Sequence, residues 1–169
     1  MKPFNLAILI ALFASALGCS TEPPTDASIR TTFLANRDAF DQLHQMIQSE
    51  QSVRCIDDDM VGNVYYITTD SMLDDALSVA GLNRRRYDKY MKLLRQVGAY
   101  KVSIGSYNSK SIIGMYSEGN VAESLRVDVV FLAKQPDKLV DDTVAATIAD
   151  NSSAYLELDD SWYIFREHD

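Results

Sequence analysis

The spacing of apolar side chains changes at Gly98, and this change constrains the fold more than any other feature of the chain. Before Gly98, apolar residues recur about every 3.6 positions, which is the period of an amphipathic helix. After Gly98 they alternate with polar residues, which is the period of a strand with one buried face. Helices followed by strands predict an α+β domain built on a mainly antiparallel sheet.

Two amphipathic helices are predicted before Gly98. The first covers residues 28–49, with Asp26 or Ser28 as its N-cap. The second is basic, begins after the N-cap Asn83 and ends at Gly98, a residue suited to a helix C-terminus. Both helices are expected to pack their apolar stripes on the sheet.

The remaining segments are shorter. A tight turn at Asn108-Ser109 is expected to join two strands, and Arg126 and Asp128 are expected on the solvent side of another. The stretch 136–153 mixes apolar and acidic residues and is either a short helix or a loop. A third helix is predicted over 71–80, and strands over 53–56, 64–68, 101–107, 111–116, 125–133, 155–158 and 162–166.

The first 18 residues differ from the rest in composition. Lys2 precedes an apolar run from Phe4 to Ala16, which is shorter than the run of about 20 residues that crosses a bilayer. A basic start followed by an apolar core of roughly 7–15 residues is typical of a signal peptide. Residues 1–18 are therefore predicted to be removed from the mature protein.

The segment Ala16-Leu17-Gly18-Cys19 resembles the lipobox of bacterial lipoproteins, although the family prefers Leu where Ala16 stands. The resemblance covers the signal alone. It implies that Cys19 is acylated, and that Ser20 after it directs the protein to the outer membrane, facing the periplasm. The alternative is cleavage after Ala14-Ser15-Ala16, which would leave Cys19 as a free thiol.

Residues 19–27 are predicted to form a lipidated tether, because Pro23 and Pro24 interrupt a short polar stretch. Residues 28–169 contain no repeat of 20 to 50 residues and are predicted to form a single domain. With 47% hydrophobic and 24% charged residues in the chain, this length is sufficient to bury a core.

The mature chain is acidic. The full sequence has 16 basic and 24 acidic residues, and removal of Lys2 with the signal leaves a net charge of −9. An acidic surface repels the phosphate backbone, so nucleic acid is not expected as a partner.

No metal-binding or catalytic pattern in the sequence is complete. Asp57-Asp58-Asp59 and Gly62 begin a calcium-loop pattern, but Thr68 stands where the bidentate Glu is required, so a solvated turn is preferred. His44 and His168 lack zinc-site spacing, and His44 is interpreted as a helix-surface residue. No serine lies in a G-x-S-x-G elbow, and no cofactor is expected.

Cys55 is the second cysteine of the chain. Its apolar neighbours favour a small buried side chain, and the alternative is a reactive or intermolecular thiol.

The second helix is basic on an otherwise acidic chain. It carries +5, while the other mature residues sum to −14. This contrast predicts a docking surface for an anionic partner, either phospholipid headgroups or an acidic protein. The alternative is a solvated face held by ion pairs to neighbouring aspartates. The candidate residues are Arg84, Arg85, Arg86, Lys89, Lys92 and Arg95.

Together these observations favour a lipid-anchored protein of the cell envelope with a non-catalytic, protein-binding role of accessory or immunity type. The expected partners are the membrane, through the lipid on Cys19, and an envelope protein. An envelope enzyme and a structural or assembly lipoprotein are the alternatives.

Overall fold

The computed structural model describes residues 22–50, 52–105, 109–119, 124–148 and 153–168, so Cys19 and the predicted signal peptide lie outside it. The described residues form five helices and eight strands. In chain order these are α1 (Asp26–Ala35), α2 (Arg37–Ser49), β1 (Cys55–Asp57), β2 (Met60–Val61), β3 (Val64–Tyr65), α3 (Asp70–Ala80), α4 (Arg84–Val97), β4 (Lys101–Ser103), β5 (Ser109–Gly119), β6 (Ser124–Leu132), α5 (Thr143–Ile148), β7 (Ser153–Asp159) and β8 (Trp162–His168).

The strands form one sheet in the order β3-β2-β1-β4-β5-β6-β8-β7, and the predicted α+β class with an antiparallel sheet is confirmed. A parallel bridge from Leu139 to Tyr155 runs along the edge strand β7. Among the described residues, no helix is long and apolar enough to cross a bilayer.

The helix predicted over residues 28–49 is two helices, and the prediction of one continuous helix is wrong. Asn36 leaves helical geometry, with φ −129° and ψ 26°. Its backbone N–H and its Nδ2 both donate to the carbonyl of Thr32, each at 3.0 Å, while its own carbonyl accepts from Ala39 at 2.8 Å. An asparagine side chain competes for backbone groups in this way, and it ends one helix as the next begins. The prediction of Asp26 or Ser28 as its N-cap is also wrong, because α1 begins at Asp26 and its N-cap is Thr25, whose side chain accepts from the backbone N–H of Ser28.

The prediction for α4 is confirmed at both ends. The Asn83 side chain accepts a hydrogen bond from the backbone N–H of Arg86, and Gly98 adopts the left-handed conformation with φ +67°. Tyr87, Tyr90, Leu94 and Val97 are buried, whereas Met91 on the same apolar stripe is partly exposed. Leu93 is buried in addition.

The main core lies between the helices and one face of the sheet, with Trp162 at its centre. Its ring lies 5.8 Å from Phe33 on α1, 5.9 Å from Phe40 on α2 and 5.3 Å from Phe131 on β6, measured between centroids. The indole Nε1 donates to Asp41 at 3.1 Å. The break at Asn36 therefore allows two helices to pack against the same tryptophan.

The other face of β6 is also covered, which corrects the prediction that Asp128 faces solvent. Asp128 is fully buried, and Val130 and Leu132 join Tyr163 in a second apolar cluster. The rings of Tyr155 and Phe165 pack beside this cluster with their centroids 4.9 Å apart. Val130 and Leu132 lie on the same face of β6 as Asp128, so the apolar run at the end of the strand already departs from simple alternation, while Tyr163 is contributed by β8.

Several boundaries differ from those predicted. The strand predicted over 64–68 stops at Tyr65, because Tyr66 has φ +61° and leaves the extended conformation. Strand β4 ends at Ser103, and the turn predicted at Asn108-Ser109 lies partly outside the described residues. The unassigned stretch 136–153 contains α5.

Candidate functional site: the basic helix

Helix α4 lies over α2, α3 and β1 and presents its basic residues away from the sheet. Its buried side holds Tyr87, Tyr90 and Leu94, and these apolar residues fix the rotation of the helix. The six basic residues predicted to bind a partner then fall into three groups, according to what surrounds each one. The first group, Arg84 and Arg86, is paired with carboxylates of the same chain; the second is Arg85, Lys89 and Lys92; the third is Arg95 alone.

Arg84 is held by aspartates. Its Nη2 lies 3.2 Å from Asp70, its Nη1 3.2 Å from Asp74, and its Nε 3.5 Å from Asp88. These carboxylates, Asp70 first, raise the pKa of the Arg84 guanidinium above its already high value. All four side chains are largely exposed. The ion pairs between α3 and α4 therefore contribute little to the stability of the domain.

Arg86 is held by the end of α2. Its Nε lies 2.8 Å from Glu50 and its Nη2 donates to Ser49 Oγ at 3.0 Å. The guanidinium also lies over the ring of Tyr90, 5.6 Å from the centroid, and the Tyr90 hydroxyl donates to Glu50 at 3.3 Å. Burial and the charge of Glu50 raise the pKa of Tyr90. Arg86 therefore ties two helices together.

Arg85, Lys89 and Lys92 form the second group and are called the basic stripe below. They are exposed, and none makes an ion pair or hydrogen bond with another described residue. Their spacings of four and three residues place them on one line along the helix. Together with Asn83, Asp88 and the paired Arg86 they border a shallow space of about 500 Å³. Because the lining residues lie on or next to one helix, this is a surface between long side chains rather than an enclosed pocket.

Arg95 lies in the last turn of α4, three residues after Lys92. It lines a cleft of about 660 Å³ with Glu22, Pro23 and Pro24, the first described residues of the predicted tether. Arg95 is exposed and makes no ion pair with the described part of the chain. The structure thus brings together three of the six predicted residues as one free cationic surface and places Arg95 beside the tether.

Sequence reasoning missed the residues that hold Arg86. Glu50 and Ser49 lie 36 and 37 positions before it in the chain. No local spacing signals such a pair, because the contact depends on how α2 and α4 pack.

The acidic turn between β1 and β2 brings three carboxylates together. Oxygen atoms of Asp57, Asp58 and Asp59 lie within 4.8 Å of one another. Burial, followed by a hydrogen bond with Asp58, raises the pKa of Asp57 to about 6. Calcium takes six to eight oxygen ligands, so three adjacent aspartates are not by themselves a binding site.

A serine and a histidine meet inside the domain. His44 Nδ1 lies 2.7 Å from the hydroxyl of Ser111, and the imidazole stacks on Phe131 with 4.0 Å between centroids. His44 is therefore partly buried against the sheet, and its interpretation as a helix-surface residue is wrong. Because Ser111 has no exposed surface, its hydroxyl is closed to a substrate. The pair joins α2 to β5.

Cys55 is half-buried and is the first residue of β1. Burial raises the pKa of the thiol to about 11, so the side chain stays protonated at neutral pH. A protonated thiol is a weak nucleophile, which agrees with a packing role.

Comparisons of the chain with known protein families, curated proteins and solved structures found no match.

Proposed function

We propose that the protein is anchored in the cell envelope by a lipid on Cys19 and binds an acidic protein partner through the basic stripe, without catalysing a reaction. The observation that carries the docking role is the state of Arg85, Lys89 and Lys92. They make no ion pair with the described residues, although the mature chain outside α4 has a net charge of −14.

The contrast with the neighbouring arginines supports this role. Arg84 and Arg86 each have carboxylates of their own chain within 3.5 Å. These two arginines therefore connect α4 to the neighbouring helices. The stripe is left with its charge available to another molecule. A cationic surface on an acidic protein orients encounters and raises the association rate at low salt.

Two reactive side chains among the described residues are poorly placed for catalysis. The serine–histidine pair is closed to solvent at Ser111, and the thiol of Cys55 is protonated. The basic stripe is open and shallow, as a surface that binds another protein is.

Charge reversal tests the docking role. The variant Arg85→Glu with Lys89→Glu should reduce capture of acidic envelope proteins from a detergent extract by more than about ten-fold, because like charges then face each other. Thermal melting should be unchanged, since both side chains are exposed.

A matched control separates local from net charge. Arg54→Glu with Lys134→Glu reverses two exposed basic residues outside α4 and changes the net charge equally. It should capture the same proteins as the native chain. If both variants captured equally less of the acidic envelope proteins, or if neither captured less, docking through the stripe would be contradicted.

The anchor is tested separately. Cys19→Ala should release the protein from the membrane fraction, and mass spectrometry of the native protein should find an acylated N-terminal cysteine. A variant that stays in the membrane fraction would contradict the anchor and would leave the docking test unaffected.

A further inference from the structure

The end of α4 that carries Arg95 lies where the chain leaves the domain towards Cys19. The 660 Å³ cleft is lined by Glu22, Pro23 and Pro24, by residues of α1 and β5, and by Arg95, Gln96 and Gly98. The predicted tether therefore enters the domain beside the last turn of α4. The basic stripe runs from Lys92, three residues before Arg95, towards the start of the same helix and borders a different surface.

A buried polar network holds this entry point in place. Arg166 is 3% exposed, and its Nη2 donates to the carbonyl of Pro24 at 2.7 Å. Asp26 accepts from both the backbone N–H and the hydroxyl of Thr143, at 2.8 and 2.6 Å, and Arg166 Nε donates to the same hydroxyl at 3.2 Å. Pro24 and Asp26 are thus held by hydrogen bonds to β8 and α5, at the point where the chain leaves the domain.

The distance from this point to the proposed lipid is short. Three peptide units separate Cys19 from Glu22, and even fully extended they span at most about 11 Å. A lipid on Cys19 would therefore hold the cleft close to the headgroup layer. Arg85 lies ten residues from Arg95, or about 15 Å along the helix axis, at the far end of α4.

We propose that the domain faces its membrane with this cleft and that Arg95 contacts the phosphate groups of anionic phospholipids. The inference rests on the proposed lipid anchor. Arg95 is exposed and has no carboxylate partner among the described residues, and a guanidinium binds phosphate oxygens well. In this orientation the basic stripe extends away from the cleft and stays open to a protein partner.

Förster resonance energy transfer from a dye on the protein to acceptors in the bilayer tests which end of α4 faces the membrane. The lipidated mature protein is prepared with Cys55→Ser and carries one donor dye, at either Gln96→Cys or Ser71→Cys. Gln96 lines the cleft, whereas Ser71 is exposed next to Asp70, which contacts Arg84 at the far end of α4. Vesicles of phosphatidylglycerol and phosphatidylethanolamine, or of phosphatidylcholine alone, carry an acceptor on the headgroups.

On the anionic vesicles the donor at position 96 should lie roughly 15 Å closer to the acceptors than the donor at position 71. Arg95→Glu should reduce this difference, and so should phosphatidylcholine vesicles. Arg85→Glu, the matched control on the same helix, should leave the difference unchanged.

Equal transfer from both positions on protein that floats with the vesicles would overturn the orientation and leave the anchor standing. A difference that survives both Arg95→Glu and phosphatidylcholine would overturn the role of Arg95 as a phosphate contact. Protein that does not float would overturn the anchor, and this inference with it.

Discussion

At the scale of single residues, the most unusual environment belongs to Asp128. Its side chain has no exposed surface, and neither of its oxygens makes a hydrogen bond with the described part of the chain. The Nε of Arg126 lies 2.6 Å from Oδ2, and the contact is an ion pair. Burial raises the pKa of Asp128, and the positive charges of Arg126 and Lys101 oppose the shift only in part.

Replacement Asp128→Asn should stabilise the domain by about 1 kcal/mol at neutral pH, because it removes a buried charge whose partner keeps other contacts. Arg126 is 33% exposed and lies 3.9 Å from Glu167. Because the pKa of Asp128 is raised by folding, its stabilising contribution is complete below the ordinary value of 3.8 and is lost as the pH rises through the folded value. Urea unfolding of both proteins should therefore differ most at neutral pH and converge near pH 4.

The difference between the two proteins also cancels the contribution of Asp57, whose pKa is raised to about 6 and which titrates within the same range. A variant less stable than the native protein at every pH would show that the ion pair with Arg126 outweighs the cost of burial.

At the scale of elements, α4 carries two kinds of cation only one residue apart. Arg86 is ion-paired to Glu50, whose side chain is 18% exposed, and so it joins α4 to α2. Arg85 points to solvent and makes no ion pair with the described residues. The same helix is thus a structural element on one side and a free surface on the other.

Arg86→Met should lower the free energy of unfolding by about 2 kcal/mol, because Glu50 would remain mostly buried without its guanidinium. Arg85→Met makes the same chemical change one residue away and should alter it by less than about 0.5 kcal/mol. Urea denaturation followed by circular dichroism measures both. Similar losses in the two variants would mean that helix propensity or net charge dominates over the pair with Glu50.

At the scale of the whole molecule, one core couples the helices to the sheet. Trp162, the only tryptophan of the chain, contacts aromatic rings on α1, α2 and β6. The network of Asp26, Thr143 and Arg166 fixes the first helix and the tether to the last strand. The two ends of the domain are therefore parts of one packing unit.

This arrangement predicts a single cooperative unfolding transition that depends on neither metal nor disulfide. Fluorescence of Trp162 and far-ultraviolet circular dichroism should give the same midpoint temperature, and neither chelator nor reductant should shift it. A fall in the midpoint with chelator would indicate a metal site. A fall with reductant would indicate a bond between Cys19 and Cys55 and would favour the alternative cleavage of the signal.

Local signals in the sequence were sufficient for the fold class and for α4. One helix contains all the signals that predict it: the period of 3.6 residues, the N-cap Asn83 and the C-terminal Gly98. The alternation after Gly98 likewise lies within single strands. The basic character of α4 is likewise visible in the sequence, because it is a count of side chains on one segment.

Only the tertiary structure decided which of these side chains are free. The pairing of Arg86 with Glu50 and the burial of Asp128 both involve residues or layers far apart in the chain. The placement of Arg95 beside Pro24 depends on Arg166, which is 142 positions from that proline. Such contacts follow from how elements pack, and packing between distant segments leaves no periodic trace in either segment alone.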